Sequence, residues 1–421
     1  MMLRSALYKA FNTMFMFLAG LVLSNIVLPG HFGTVSLLIV NASLFSIITG
    51  LGTDGVIMYM LANNKWNMGQ AKVFVWKALL LQMALFAAFE GFTCAVWNIT
   101  LLSLEGVNFI WIDVTYFLGI LLLEKFTTLL YAAHKARMAN IAISVISAIY
   151  LLMLISIRYF LAVSFYSVLF LFGAQSLLQG GLLLLLFIVK VPAIKNQHLN
   201  KKDLKDAFRW SIIVMITNVL QFIAYRVDFL LLKNYFGNYH VGLYAQANKF
   251  ANLVWIIPNI FAQLLIPRFA FLKDKEISLI FRTAIYLNIL IVVFTVACTY
   301  AFYYFYLDKQ YIPGIYSFFI MMPGYFFWAA VVYFGAYFSW RGKFMYNLAC
   351  STGCFVLIII ADLFLIPRYG INGAGMANTL VYTTIFCCYL ALLSFKSSFH
   401  LKELLLPRRT DFSNFWKFLL K

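Results

Sequence analysis

RWSIIVMITNVLQFIAYRVDFLLLKNYFGNYHVGLYAQANKFANLVWIIPNIFAQLLIPRFAF, residues 209–271, holds two apolar arms on either side of Gly237. Each arm exceeds the roughly 20 residues with which a helix crosses a bilayer. Three charges interrupt the arms: Arg226, Asp228 and Lys249. A charge at membrane depth costs on the order of 2.5–3.5 kcal/mol on insertion scales, so it faces a partner or a watery cavity rather than lipid. Arg226 and Lys249 lie almost equally far from the turn, which puts the three charges at similar depth. This hairpin is not a lipid-facing anchor.

Working outward, the same apolar character fills the chain. Of 421 residues, 64% are apolar, 19% aromatic and only 11% charged, with a mean hydropathy of +0.90. Soluble domains carry roughly 25% charged residues, so the composition indicates an all-α polytopic membrane protein. The net charge of +18 does not mark a nucleic-acid binder, because the basic residues fall between apolar runs, as membrane topology requires.

Hydrophobic runs place about twelve transmembrane helices, near residues 5–28, 34–61, 71–97, 110–134, 138–157, 166–189, 209–235, 240–267, 279–306, 313–339, 344–366 and 371–395. The first is expected to be a retained helix, since it is too long for a signal-peptide core and no small-x-small cleavage site stands clearly after it. With both termini cytoplasmic, the inner segments hold 25 of the 32 Lys and Arg residues. The outer segments hold only Arg158, Lys233, Lys309 and Arg368. That asymmetry fixes the orientation by the positive-inside rule.

The expected domains are an N-terminal six-helix lobe (1–190), a charged cytoplasmic linker (191–208), a C-terminal six-helix lobe (209–395) and a basic-aromatic tail (396–421) of interfacial character. The halves echo each other: Phe32-Gly33-Thr34-Val35 opens the second span as Val241-Gly242-Leu243-Tyr244 opens the eighth. Parallel repeats place a site at their interface.

Six short segments carry a more specific likeness: Leu28-Pro29-Gly30-His31-Phe32-Gly33, Tyr225-Arg226-Val227-Asp228, Val241 to Ala247, Ile257-Pro258, Leu265-Ile266-Pro267 and Tyr369 to Gly375. With them the chain resembles the polysaccharide biosynthesis family of lipid-linked oligosaccharide flippases, the O-antigen translocase type. That family lies within the superfamily that includes multidrug and toxin extruders (MATE). The resemblance implies two six-helix lobes around a central cavity and export of an undecaprenyl-pyrophosphate-linked sugar unit across a bacterial cytoplasmic membrane. The implied partners are the lipid-linked oligosaccharide, membrane lipid, and the polysaccharide polymerase and chain-length proteins of glycan assembly.

The residues themselves also fit a cavity. On the eighth span Asn248, Asn252, Trp255, Asn259 and Gln263 recur at helical spacing, and on the seventh Asn218, Gln221, Tyr225 and Asp228 do the same. Amides satisfy sugar hydroxyls and rings cover sugar faces. The alternative is interhelical glue, worth about 0.6 kcal/mol per polar contact on average. Arg226 and Lys249 are candidates to hold pyrophosphate, with Asp228 expected to pair with Lys249 and leave Arg226 on the cavity. Lys125, beside Glu124 in the fourth span, is a third candidate cation. Asp54, Glu90, Glu124 and Asp228 are placed as ion-coupling groups or structural pairs. Asp113 and Asp362, near outer span ends, are expected to be solvated.

No cofactor or metal site is expected. Gly50-Leu51-Gly52-Thr53-Asp54-Gly55 fits a dinucleotide-binding pattern but lies inside an apolar span with no strand before it, so packing or a kink is its expected role. The six cysteines fall within spans, and the five histidines are scattered. An ion-coupled multidrug or cation antiporter of the same fold is the main rival. A membrane polymerase or acyltransferase would need a large outer loop or a catalytic constellation, and neither is evident.

Overall fold

The computed structural model describes residues 2–50, 52–62, 65–160, 164–191, 201–268, 274–341 and 343–396. The predicted linker's residues 192–200 and the tail beyond Lys396 lie outside these. Thirteen helices run in order among the described residues. They are α1 (Met2–Ile26), α2 (Pro29–Gly50), α3 (Thr53–Ala62), α4 (Met68–Trp97), α5 (Ile110–Ala132), α6 (Ala136–Phe160) and α7 (Phe165–Lys190), followed by α8 (Lys201–Phe236), α9 (Asn238–Ala251), α10 (Leu253–Arg268), α11 (Asp274–Phe305), α12 (Gly314–Trp340) and α13 (Phe344–Lys396). Eight of them are long and apolar enough to cross a membrane. Large apolar side chains stand on outward faces, such as Leu80 (69% exposed), Val189 (70%) and Phe305 (88%). In water such surface would be unfavourable; in lipid it is the expected finish.

Each predicted span lies on helix, but two of them break and the last two run together. The second breaks between Gly50 and Thr53, where Gly52 takes φ +65°, a left-handed conformation that glycine adopts without a Cβ penalty. The glycine-rich pattern there is thus a helix break, the kink expected of it. The eighth span divides at Asn252, whose N–H bonds the Asn248 carbonyl at 2.9 Å and whose carbonyl accepts from Trp255 N at 3.1 Å. That i→i+3 turn tightens the backbone locally.

The last two spans form one helical run folded back on itself at Gly370 (φ +57°, ψ −133°). A Cβ on Gly373 would lie 2.2 Å from the Leu365 carbonyl oxygen, and the Tyr389 hydroxyl donates to Asn347 Oδ1 at 3.0 Å. Contacts 8 and 42 residues apart, centred within two residues of Gly370, require two antiparallel arms, α13a (344–369) and α13b (371–396).

The chain forms two compact units, Met1–Ile223 and Ala224–Lys421, whose boundary falls within α8. In the first, α5 packs along α7 and α1 along α6. Glycine permits the α5–α7 approach: a Cβ on Gly119 would lie 2.4 Å from Leu177 N, and one on Gly180 2.6 Å from the Gly119 carbonyl. Gly119→Ala is therefore expected to cost about 1–3 kcal/mol through overpacking, read as a lower melting temperature in detergent. Gly181→Ala, which meets no atom within 4 Å, should leave that temperature unchanged. In the second unit, α12 packs along α13 and α10.

Candidate functional site

The α8–α9 hairpin turns at Gly237, whose φ of +77° and ψ of −178° suit glycine alone. Lys233 Nζ bonds Asn238 Oδ1 across the turn. Below it the two helices run antiparallel, so Asp228 meets Tyr244 and Arg226 meets Asn248. Asp228 is buried and accepts hydrogen bonds from the Tyr244 hydroxyl and, at 2.9 Å, from Phe229 N. The same hydroxyl accepts from Asn378 Nδ2 of α13b at 2.8 Å.

Arg226 has a different setting. Its Nη1 donates to Asn248 Oδ1 at 3.4 Å, and its guanidinium stands 5.2 Å from the Phe229 ring centre. It forms no ion pair with any described carboxylate. An amide and a ring face hold the guanidinium, with Asp228 in electrostatic range but not in contact. Asn248, 5% exposed, organises the surroundings: its Oδ1 also accepts from Asn252 Nδ2 at 2.8 Å, and its Nδ2 donates to the Tyr325 hydroxyl at 2.9 Å. Lys249 follows it in α9 and is half-buried.

The remaining stripe residues are placed as follows. Tyr225 and Trp255 are half-buried with ring centres 6.1 Å apart. Asn218 is exposed, as is Asn259, whose Nδ2 donates to the Trp255 carbonyl of its own helix at 2.9 Å. The side chains of Gln221 and Gln263 lie outside the described residues.

In the first unit, Lys125 is 1% exposed and donates to Asp54 Oδ2 at 2.8 Å and to Thr53 Oγ1 at 2.9 Å, at the start of α3. Glu124 accepts from Ser46 Oγ at 2.7 Å. Lys125 thereby ties α5 to the chain immediately after the Gly50–Gly52 break. Glu90 accepts from Leu101 N at 3.0 Å.

Three expectations need correcting. Asp228 does not pair with Lys249: the antiparallel hairpin sets Tyr244 opposite it, its oxygens take the Tyr244 hydroxyl and the Phe229 amide, and Arg226 is the cation in electrostatic range. Asp113 is fully buried, with Oδ2 accepting from Leu102 N (2.8 Å) and Ser103 N (3.0 Å), because the loop before α5 folds over the end of its span. A carboxylate there replaces the water that loop amides would otherwise need. Asp362 is 1% exposed, and neither of its oxygens finds a donor among the described residues. It lies within electrostatic range of Asp228 and Tyr244. The fold at Gly370 packs α13a inward and denies Asp362 the solvent its sequence position offered. Asp362, Tyr244 and Asn378 join Asp228 in a polar group that sequence spacing did not reveal. Among the described residues, no three His, Cys, Asp or Glu side chains are grouped to hold a metal ion.

A family model described as polysaccharide biosynthesis protein matches residues 3–273. No curated protein sequence matches the chain. Among solved structures, the lipid II flippase MurJ in an inward closed conformation superposes with a TM-score of 0.73 at 12% identity, covering 99% of this chain and 92% of that one. An inward-facing multidrug resistance MATE family transporter of the MOP superfamily gives 0.66 at 13% identity, covering 92% and 96%. A MOP superfamily transporter from Pyrococcus furiosus gives 0.61 at 12% identity, covering 93% and 95%. At such identities the likeness is one of fold.

Proposed function

Because the chain belongs to the polysaccharide biosynthesis protein family, we propose that it is a flippase for an undecaprenyl-pyrophosphate-linked oligosaccharide. It would carry this unit from the inner to the outer leaflet of a bacterial cytoplasmic membrane by alternating access, for O-antigen, capsule or exopolysaccharide assembly. One observation carries the anionic part of that substrate. Arg226 is a half-buried guanidinium at membrane depth, positioned by Asn248 and Phe229 and not by a carboxylate. A diphosphate would complete it through paired charge-assisted hydrogen bonds.

Lys249, next to Asn248, adds positive charge to the same region. Lys125 already engages Asp54 and Thr53, so Arg226 leads the assignment. The amides of Asn218, Gln221, Asn252, Asn259 and Gln263 are assigned to glycan hydroxyls. Asp362 is assigned to ion coupling, with Asp228 in electrostatic range beside it, since a buried carboxylate without a donor is favourable only when a proton or cation shares it. A polymerase and chain-length protein would consume the product outside.

An ion-coupled multidrug or cation antiporter is the second reading, and the same two buried carboxylates favour it. Deletion of the gene separates the two. A flippase predicts that an undecaprenyl-linked glycan accumulates on the inner leaflet with unchanged drug sensitivity. Increased drug sensitivity without glycan accumulation would establish the antiporter.

The orientation has its own test. Cysteines placed at the exposed residues His31, Tyr239 and Arg368, in a background without native cysteines, should react with an impermeant outside reagent. Cysteines at Asn67, Lys135 and Lys343 should react only after the membrane is opened. The reverse pattern would invert the topology.

A further inference from the structure

Beside Arg226, four helices of the second unit bring five aromatic rings into one continuous surface. Trp255 of α10 lies flat on Tyr325 of α12, ring centres 4.5 Å apart and planes 14° from parallel. Trp328 leans on Tyr382 of α13b at 4.7 Å. Tyr225 of α8 meets Trp255 at 6.1 Å and Trp328 at 6.0 Å. Tyr325 and Tyr382 are buried at 1% and 2% exposure and form a floor. Tyr225, Trp255 and Trp328 are only half-buried, so part of their surface stays open.

Hydrophobic packing alone does not account for the polar groups at this surface. The Trp255 indole N–H is buried with no acceptor among the described residues. Leaving a buried donor unpaired is unfavourable, and a core built for packing would place Phe there instead. Asn248 ties the floor to the cation, bonding both Tyr325 and Arg226. An orphan donor, open ring surface and a guanidinium that no described carboxylate contacts thus occupy one place.

A pyranose ring matches that set. Its axial C–H groups present an apolar face to an aromatic surface, while its equatorial hydroxyls reach outward to donors at the edge. We propose that Tyr225, Trp255 and Trp328 form a platform for the sugar ring attached directly to the anionic group on Arg226, a neutral pyranose whose hydroxyl receives the Trp255 N–H. This rests on the assignment of Arg226 to the substrate's pyrophosphate. It adds that the protein reads the first sugar of the unit, within the second unit of the fold. A neutral ring is specified because charges of both signs flank the platform, Arg226 through Asn248 and Asp228 within electrostatic range of Tyr325 and Tyr382, so a charge of either sign on the ring would meet a like charge.

The test is binding to the full-length protein in nanodiscs. The probes are undecaprenyl pyrophosphate, bare or bearing a single glucose, galactose or N-acetylglucosamine. Wild-type protein should bind at least one sugar-bearing lipid about tenfold more tightly than the bare lipid, the gain that one good stacked ring supplies. Trp328→Leu should bring that ratio close to one, and Trp328→Phe should keep most of it. A ratio does not depend on the fraction of folded protein, so partial misfolding cannot mimic the result.

A wild-type ratio near one for all three sugars, or a ratio unaltered in Trp328→Leu, would overturn the platform. The Arg226 reading fails separately: Arg226→Gln would then leave affinity for the bare lipid unchanged. If sugar selectivity persists in that case, the platform stands and the pyrophosphate assignment falls.

Discussion

Arg226→Gln is expected to lower glycan export at least tenfold per folded molecule, and Arg226→Lys to retain part of it. Hydrogen bonds to charged groups contribute roughly 1.5–3 kcal/mol each, and the planar fork of Arg offers two to a diphosphate where the ammonium of Lys acts as a point charge. The competing explanation is architectural, with Arg226 present only to balance Asp228. The geometry opposes it, because Asp228 is held by the Tyr244 hydroxyl and the Phe229 amide while Arg226 bonds Asn248. Arg226→Gln combined with Asp228→Asn should therefore remain as poor in export as Arg226→Gln alone. Export restored to normal in the double variant would make Arg226 a structural counter-charge.

A second large effect is expected at the Lys125–Asp54 pair, and it is asymmetric. Lys125 is 1% exposed, whereas the Asp54 side chain is 37% exposed. Asp54→Leu strands a buried ammonium, and breaking a buried pair in this way costs about 3–5 kcal/mol. Lys125→Met leaves a carboxylate on a side chain that keeps 37% exposure, although its Oδ1 is buried, so its cost should be smaller. The double variant, with no charge stranded, should melt close to wild type in detergent. Equal losses for both single variants, with no recovery in the double, would mean that the pair's surroundings and not its charge balance hold α3 to α5.

Much of this was legible in the sequence because membrane helices report themselves locally. A run of apolar residues marks a span wherever it packs, and Gly237 and Gly370 mark the turns because few other residues take their backbone angles. The likeness to polysaccharide biosynthesis proteins, carried by segments such as Tyr225 to Asp228 and Val241 to Ala247, agrees with the family match. What the sequence concealed was relative depth and cross-helix company. Asp113 and Asp362 sit near span ends and look solvated along the chain, yet a folded loop covers one and the α13 hairpin buries the other. Tyr325, Trp328 and Tyr382 stand 70 to 127 residues beyond Trp255 in a chain rich in aromatics, and no spacing rule joins them. The break at Asn252 was hidden for a further reason: an i→i+3 turn leaves the apolar pattern almost unchanged.

The central claim is movement of a lipid-linked glycan between leaflets, and reconstitution measures it most directly. Purified protein would be placed in liposomes containing an undecaprenyl-pyrophosphate-linked oligosaccharide, and the sugar exposed on the outer surface followed with an impermeant lectin or glycosidase. The account predicts that the fraction of glycan open to the reagent rises above the outer-leaflet share in protein-containing vesicles, and that Arg226→Gln abolishes the rise. Glycan that stays fixed at the outer-leaflet share with folded wild-type protein, across lipids bearing different first sugars and with proton or sodium gradients of either sign, would contradict it.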